Sequence, residues 1–202
     1  MLKFNGLQLN LVLLLVIFMA ANSKVSHGTE VAIGLQRYVP LNQHVEFDGL
    51  LFAAKYDIKQ HWQLFADFEF LQEEVDNNDF TLSRQLWGVS YHFNWPIALQ
   101  WTLSLGGHHQ QLDFDGVEFD SEENDSSFLA QLESEYAISD NHYAGLRFRY
   151  YQIFDNDRYD IGLSYQYQLN HHWRLRLLTE LGYDNKFNHD TNRYNIEAHF
   201  RF

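Results

Sequence analysis

Charged side chains recur two residues apart along several segments of this chain, and they are the first candidates for chemistry. Each pair carries charges of one sign, so pairs on neighbouring strands can neutralise one another through charge-assisted hydrogen bonds. Such a set either fills a narrow polar interior or lines a narrow path for a solute. The charged residues predicted to face this interior are Asp67, Glu69, Glu133, Glu135, Arg147, Arg149, Arg174, Arg176, Glu180, Glu197 and Arg201.

Histidine, serine and aspartate residues suggest a second chemistry, hydrolysis. His108 and His109 are adjacent, so in a strand they point to opposite faces and cannot act together. No Ser–His or Asp–His motif occurs at a catalytic spacing, which makes a hydrolase the weaker hypothesis. The candidate residues are His108, Asp113, His189, Asp190 and Ser83.

An acidic stretch, Leu112–Ser127, contains seven carboxylates and is predicted to be a long loop. Oxygen-rich loops can bind divalent cations such as Ca²⁺ or Mg²⁺. The spacing does not match an EF-hand, so a solvated acidic loop is the simpler interpretation. No motif for a cofactor or a catalytic metal is found elsewhere.

The elements that must position these residues are strands, because apolar and polar residues alternate with a period of two. The connections alternate between short turns and longer polar loops, which is typical of outer-membrane barrels and requires an even number of strands. Ten strands are predicted, with eight as the fallback. The predicted strands are 29–38, 46–58, 62–71, 81–93, 97–111, 128–138, 142–153, 159–169, 173–183 and 192–202. In the sixth and seventh, Glu133 is expected to face Arg147.

The first 23 residues combine Lys3, an uncharged apolar run and small residues at Ala20, Ala21 and Ser23. This is the pattern of a secretory signal peptide, although an uncleaved anchor has a similar composition. Residues 24–202 then form one domain. The whole chain has 27 acidic and 14 basic residues and no cysteine, which excludes a disulfide framework and argues against nucleic acid as a partner.

Aromatic residues make up 17% of the chain and fall into two groups, one near the short turns and one near the longer loops. Two such belts are expected where a barrel crosses the two membrane interfaces. Tyr38 and Phe80 are assigned to the outer belt. A soluble sandwich or lipocalin-like barrel would show the same alternation, with its apolar face inward.

The last strand carries the most specific motif, an alternating apolar series that ends on an aromatic residue. Its members are Tyr194, Ile196, Ala198, Phe200 and Phe202. The chain thereby resembles the small outer-membrane β-barrel proteins of Gram-negative bacteria, a porin-like group whose terminal strand is an assembly signal. The resemblance implies an all-β, transmembrane, antiparallel up-and-down β-barrel in the outer membrane. The partners it implies are membrane lipid, lipopolysaccharide and the barrel-assembly machinery.

Function is less constrained than fold. A structural or surface-interaction protein, or a narrow pore, is the main hypothesis, without enzymatic activity. The alternative is an enzyme at the outer rim of the barrel. Some barrels of this group are proteases of the omptin type or lipid A deacylases.

Overall fold

A computed structural model describes residues 28–41, 46–75, 78–95, 99–115, 120–153, 156–186 and 188–202, with the side chains of Glu74, Val75 and Asp120 excepted. Within these ranges no helix is long and apolar enough to span a membrane. The predicted signal peptide and its cleavage site lie outside the described residues.

Ten strands form, as the alternation predicts, and the eight-strand fallback is not needed. Their bounds are β1 (Glu30–Pro40), β2 (Phe47–Lys59), β3 (Trp62–Val75), β4 (Asn78–Asn94), β5 (Leu99–Asp115), β6 (Asp120–Ser139), β7 (His142–Ile153), β8 (Asn156–Gln168), β9 (Trp173–Tyr183) and β10 (His189–Arg201).

The strands close into a barrel. Each strand pairs antiparallel with its neighbours in sequence, and β1 pairs with β10 from Glu30–Arg201 to Pro40–Thr191. Closure leaves no unpaired strand edge around the wall, and such an edge would be costly in hydrocarbon. The predicted up-and-down topology is therefore confirmed.

The two faces of the wall have opposite chemistry. Leu103, Leu146 and Leu177 are exposed on the outside, whereas Arg176 and Glu180 inside the lumen are 4% and 1% exposed. A soluble barrel would place these groups the other way round. The chain is therefore a transmembrane β-barrel of the outer-membrane type.

The two ends of the barrel differ. The short turns after β2, β6 and β8 lie at one end, together with the start of β1 and the end of β10, and by the rule for such barrels this end is periplasmic. The predicted pairing of Glu133 with Arg147 is confirmed. The register shifts by one residue between Ala137 and Ser139, at the turn itself.

The prediction of a long loop over Leu112–Ser127 is wrong. β5 continues to Asp115 and β6 begins at Asp120, so most of this acidic stretch is strand. The reason is pairing: β5 and β6 remain in register from Leu99–Tyr136 to Asp115–Asp120. Cross-strand hydrogen bonds thus outweigh the low strand preference of the acidic sequence.

Candidate functional site

The upper part of the lumen is crossed by paired charges. The Arg193 guanidinium lies 3.0 Å from a Glu180 carboxylate oxygen, 3.7 Å from one of Asp160 and 3.9 Å from one of Glu69. On the far side, Arg84 lies 3.5 Å from the Glu69 carboxylate. These contacts connect β4 to β8 through the middle of the lumen.

Three more arginines extend this arrangement. Arg149 lies 3.8 Å from the Glu180 carboxylate, and Arg147 lies 3.4 Å from the carboxylates of both Glu180 and Glu133. Arg176 also contacts Glu133. Because buried charges are tolerated only when they are paired, these mutual contacts allow the whole set to be buried. We call it the charge layer, and its members are Glu69, Arg84, Glu133, Arg147, Arg149, Asp160, Arg176, Glu180 and Arg193.

The remaining predicted lumen residues lie nearer the periplasm. Glu135 and Arg174 form a pair at 3.5 Å, and Glu197 accepts a hydrogen bond from His199 Nε2 at 2.8 Å. Arg201 lines the lumen at its periplasmic mouth, where its side chain is 56% exposed and 3.6 Å from Asp57. It lies there because it is the last strand residue and the lumen has already opened to solvent.

Asp67 differs from the other predicted residues. Its side chain lines the lumen, yet it makes no ion pair or hydrogen bond with any described residue. Its strand neighbours Ala53 and Leu86 offer it no polar group. This carboxylate is therefore available to something other than the protein.

Three members of the charge layer, Arg84, Asp160 and Arg193, were not predicted. The alternation contains the signal for Arg84, because it is in phase with Gly88 and His92 on the polar face of the same strand. Asp160 and Arg193 lie inside the predicted strands 159–169 and 192–202, in phase with Gly162 and Asn195, so the alternation contains the signal for them as well.

Apolar side chains fill the lumen above the charge layer. Phe47, Leu71 and Leu82 form a buried cluster there, and Leu71 has no exposed surface. We call this cluster, with the flanking residues Tyr38, Phe80 and Leu112, the outer plug. A second buried cluster of Leu86, Leu129 and Tyr151 lies beside it.

Tyr38 belongs to the outer plug and not to the lipid-facing belt, so its prediction is wrong. The Arg84 guanidinium lies 4.4 Å from the centre of the Tyr38 ring, a cation–π contact that joins plug and charge layer. Phe80 is likewise part of the outer plug, and its prediction as a lipid-facing residue is also wrong. The strand phase, which puts both rings inside, determines their side more strongly than the general preference of aromatics for the interface.

Below the charge layer the lumen is hollow. A cavity of about 290 Å³ extends from Glu69 and Arg149 down to Gln60 and Arg201 at the periplasmic mouth. None of the three buried residues of the outer plug lines it. The lumen is thus open towards the periplasm and closed towards the outside.

The junction of β1 and β10 is held at its periplasmic end by a histidine between two carboxylates. His199 Nδ1 lies 2.9 Å from Glu30 and its Nε2 lies 2.8 Å from Glu197. Both ring nitrogens face acceptors, so the imidazole donates at both positions. The backbone N–H of Phe202 donates to the carbonyl of Thr29 at 3.0 Å. Four residues of the predicted assembly signal, Tyr194, Ile196, Ala198 and Phe200, share the outward phase of β10, and the fifth, Phe202, directly follows the strand.

The wall is uneven at its outer end. On one side β4 stays paired with β5 up to Asp79–Asp115, whereas on the other side β7 ends before β6 does. β6 pairs with β7 only from Leu129 onward, so its first nine residues, Asp120–Phe128, are paired on the β5 side alone. We call the described residues 109–115 and 120–126 the outer hairpin. At about 3.3 Å per residue, each of its strands adds about 20 Å.

The outer hairpin has an apolar inner face. The Phe80 and Phe114 rings are in contact, with 4.8 Å between their centres and a tilt of 49° between their planes, and Leu112 belongs to the outer plug. Its other face is polar: Gln111 donates hydrogen bonds to Asp113 at 3.0 Å and to Glu122 at 3.3 Å. The hairpin is therefore continuous with the plug and presents carboxylates to solvent.

Divalent cation binding at this acidic stretch stays a prediction. Among the described residues, no group of three or more potential metal-binding side chains is close enough to hold an ion. Residues 116–119 lie outside the described ranges.

The five candidates for a rim hydrolase do not converge. His108 is buried in the lumen against Tyr151, whereas Ser83 is on the outward phase of its strand. Asp190 forms an ion pair with Arg158, and His189 contacts Asn192. Ser127 lies 3.4 Å from His108, but its hydroxyl already donates to the Gln152 carbonyl at 2.7 Å.

The loop between β9 and β10 is ordered by one carboxylate outside the membrane. Asp184 accepts hydrogen bonds from the Asn188 side chain at 3.0 Å and from the backbone N–H groups of Lys186 and Asn188, each at 2.8 Å. The Asn188 side-chain bond is the main cause that lowers the pKa of Asp184.

No protein-family model and no curated protein matches the chain in sequence. Similar folds occur among solved structures. The attachment invasion locus protein Ail of Yersinia pestis matches 87% of this chain and 97% of its own at 11% identity and a TM-score of 0.44. Neisserial surface protein A matches 87% of this chain and 96% of its own at 12% identity and 0.45.

The translocator domain of the autotransporter NalP from Neisseria meningitidis matches 94% of this chain and 95% of its own, at 11% identity and 0.45. At such identities and scores the similarities add no evidence on function. The assignment of the fold rests on the strand pairing and on the two faces of the barrel wall.

Proposed function

We propose that this protein is a surface-interaction protein of the Gram-negative outer membrane, whose barrel anchors the outer hairpin. One observation carries the proposal: β6 extends nine residues beyond its pairing with β7. A strand that only closed a barrel would end with both of its neighbours, whereas β6 ends with β5 and outlasts β7. The extra length instead presents a strand edge and a polar face beyond the membrane.

The closed outer end of the lumen supports this function over a narrow pore. A permeating solute would have to separate the ion pairs of the charge layer and displace Leu71 and Leu82, both buried in the outer plug. Breaking one buried pair costs about 3–5 kcal/mol. The resting barrel is therefore expected to hold no continuous water-filled path.

The chemistry of the outer hairpin favours a basic partner. From His109 to Ser127 the sequence has seven acidic residues and no Lys or Arg. Such a one-signed surface speeds association with an oppositely charged partner and repels others. A lysine-rich or arginine-rich segment of another protein is the class of ligand that fits.

The membrane environment supplies the remaining partners. Outward leucines and the aromatic residues at the short turns suit contact with lipid, and the acidic outer rim suits bridging to lipopolysaccharide phosphates by divalent cations. Insertion is expected to require the barrel-assembly machinery, with Phe200 and Phe202 in its recognition signal.

Peptide binding to the protein in lipid nanodiscs tests the proposal. Lysine-rich and glutamate-rich peptides of equal length serve as probes. The main variant removes residues 113–122 and joins Leu112 to Glu123, its partner in the register, through an Asn-Gly turn. We expect the wild-type protein to bind only the basic peptide, more weakly as salt rises, and the shortened protein to lose this binding.

A matched pair of double substitutions separates the hairpin from the general acidity of the rim. Glu122→Gln with Asp125→Asn should weaken binding, whereas Asp157→Asn with Asp184→Asn, in other outer connections, should not. Equal binding by the shortened protein would exclude the outer hairpin as the binding surface.

A further inference from the structure

The cavity below the charge layer has two unlike walls. The wall formed by β4 and β5 carries the short hydroxyl side chains of Ser90, Thr102 and Ser104, and the adjoining β2 and β3 contribute short residues such as Ala53 and longer ones such as Phe65. The opposite wall, from β6 to β10, lines it with long charged ones, including Arg147 and Arg176. The empty volume therefore exists because the first wall is recessed, and a bound molecule would lie against hydroxyl groups.

Asp67 is the one carboxylate of the cavity without a partner among the described residues. Six other carboxylates line the same cavity, and each has an ion pair or a hydrogen bond. They are Glu30, Asp57, Glu69, Glu133, Glu135 and Glu197. An unpaired carboxylate in a narrow protein interior is unfavourable, so a counter-charge brought from outside would stabilise it.

The neighbouring cations are already occupied. Lys55 lies 3.6 Å from Glu30 at the same mouth. Arg147 is shared between Glu133 and Glu180, at 3.4 Å from each. Moving either of them to Asp67 would leave another carboxylate unpaired, so a cationic ligand is the partner that keeps every existing ion pair intact.

We propose that the cavity binds a small solute with a primary ammonium group, entering from the periplasm, with the ammonium paired to Asp67. Its three N–H donors can pair with a carboxylate and with hydroxyl acceptors, and the hydroxyl groups of Ser90, Thr102 and Ser104 line the same cavity. A metal ion fits less well, because the described residues hold no group of three metal-binding side chains. This inference goes beyond the proposed surface function and does not depend on it.

Three probes of equal chain length test the charge requirement: n-butylammonium, n-butanol and n-butyrate. Each is titrated into the full-length, refolded protein in lipid nanodiscs while backbone amide shifts are followed by NMR. We expect saturable shifts around Asp67, Ser90 and Ser104 with butylammonium alone. Equal affinity for butanol would mean simple filling of the cavity and would overturn the proposal.

Substitutions at Asp67 complete the test. Asp67→Asn keeps the shape and removes the charge, and should weaken butylammonium binding about tenfold or more. Asp67→Glu keeps the charge and should retain binding. The control Asp57→Asn, at the mouth of the same cavity, should bind as the wild type does, since the Asp57 carboxylate already accepts from Gln63 at 2.7 Å.

Folding of each variant is checked by its heat-modifiable migration in electrophoresis. Undiminished binding by folded Asp67→Asn would overturn the proposal, as would no saturable binding of butylammonium to the wild type. Neither result would bear on the outer hairpin, whose peptide binding is measured separately.

Discussion

The two walls of the lumen are built by the same strand alternation but have different roles. Along β6 to β10, inward positions hold long charged side chains that satisfy one another, as Glu180 does with Arg147, Arg149 and Arg193. On β4 and β5 the inward residues Ser90, Thr102 and Ser104 are short, and Asp67 on the neighbouring β3 has no ion pair or hydrogen bond with a described residue. The comparison teaches that the charged wall stabilises the barrel and the recessed wall supplies its space.

The largest effect is expected at Glu180, at the centre of the charged wall. Glu180→Ala leaves three arginines without their shared carboxylate and should lower the free energy of unfolding by about 3–5 kcal/mol. Urea unfolding in lipid vesicles measures it. The matched change on the recessed wall, Ser104→Ala, should cost about 1 kcal/mol through the loss of its 2.8 Å hydrogen bond with Ser90. Similar losses in the free energy of unfolding at both sites would show that the charged wall does not stabilise the barrel more than the recessed wall does.

A smaller effect is expected where the recessed wall lacks side chains altogether. Gly88 and Gly106 face one another, and a Cβ atom on Gly106 would lie 1.8 Å from the Trp87 carbonyl oxygen. Gly106→Ala must therefore shift backbone and should cost about 1–3 kcal/mol, by the same unfolding measurement. The control is Ala130→Gly on the outward phase of β6, which measures the effect of exchanging alanine and glycine in a strand away from the lumen. No loss in Gly106→Ala would show that the wall can move outward.

Strand number, topology and the register of β6 against β7 could be predicted from sequence because alternation is a local property that each strand carries by itself. The outer hairpin could not, since Asp120–Ser127 has weak strand preference and is held by its pairing with β5. The outer plug was missed for a related reason: Leu71 and Leu82 are apolar residues on a polar face. The lack of a partner for Asp67 could not be predicted either. It depends on contacts between side chains of several strands, and the alternation within one strand gives no information on them.

The smallest effect on stability should occur at Asp67. Asp67→Asn removes a charge that has no partner among the described residues, so the free energy of unfolding should stay within about 0.5 kcal/mol of the wild-type value or rise above it. The paired neighbour on the same strand provides the contrast. Glu69→Gln deprives Arg84 and Arg193 of a carboxylate and should be clearly destabilising. Loss of stability in Asp67→Asn would reveal a partner for this side chain.

Site-specific labelling tests most directly whether the lumen is closed outward and open to the periplasm. The chain has no cysteine, so Ala53→Cys in the cavity and Asp113→Cys on the outer hairpin give unique positions for a membrane-impermeant maleimide. In intact cells the reagent should label position 113 and not position 53. After the periplasm is made accessible, both should react. Labelling of position 53 in intact cells at the rate of position 113 would contradict the closed outer end.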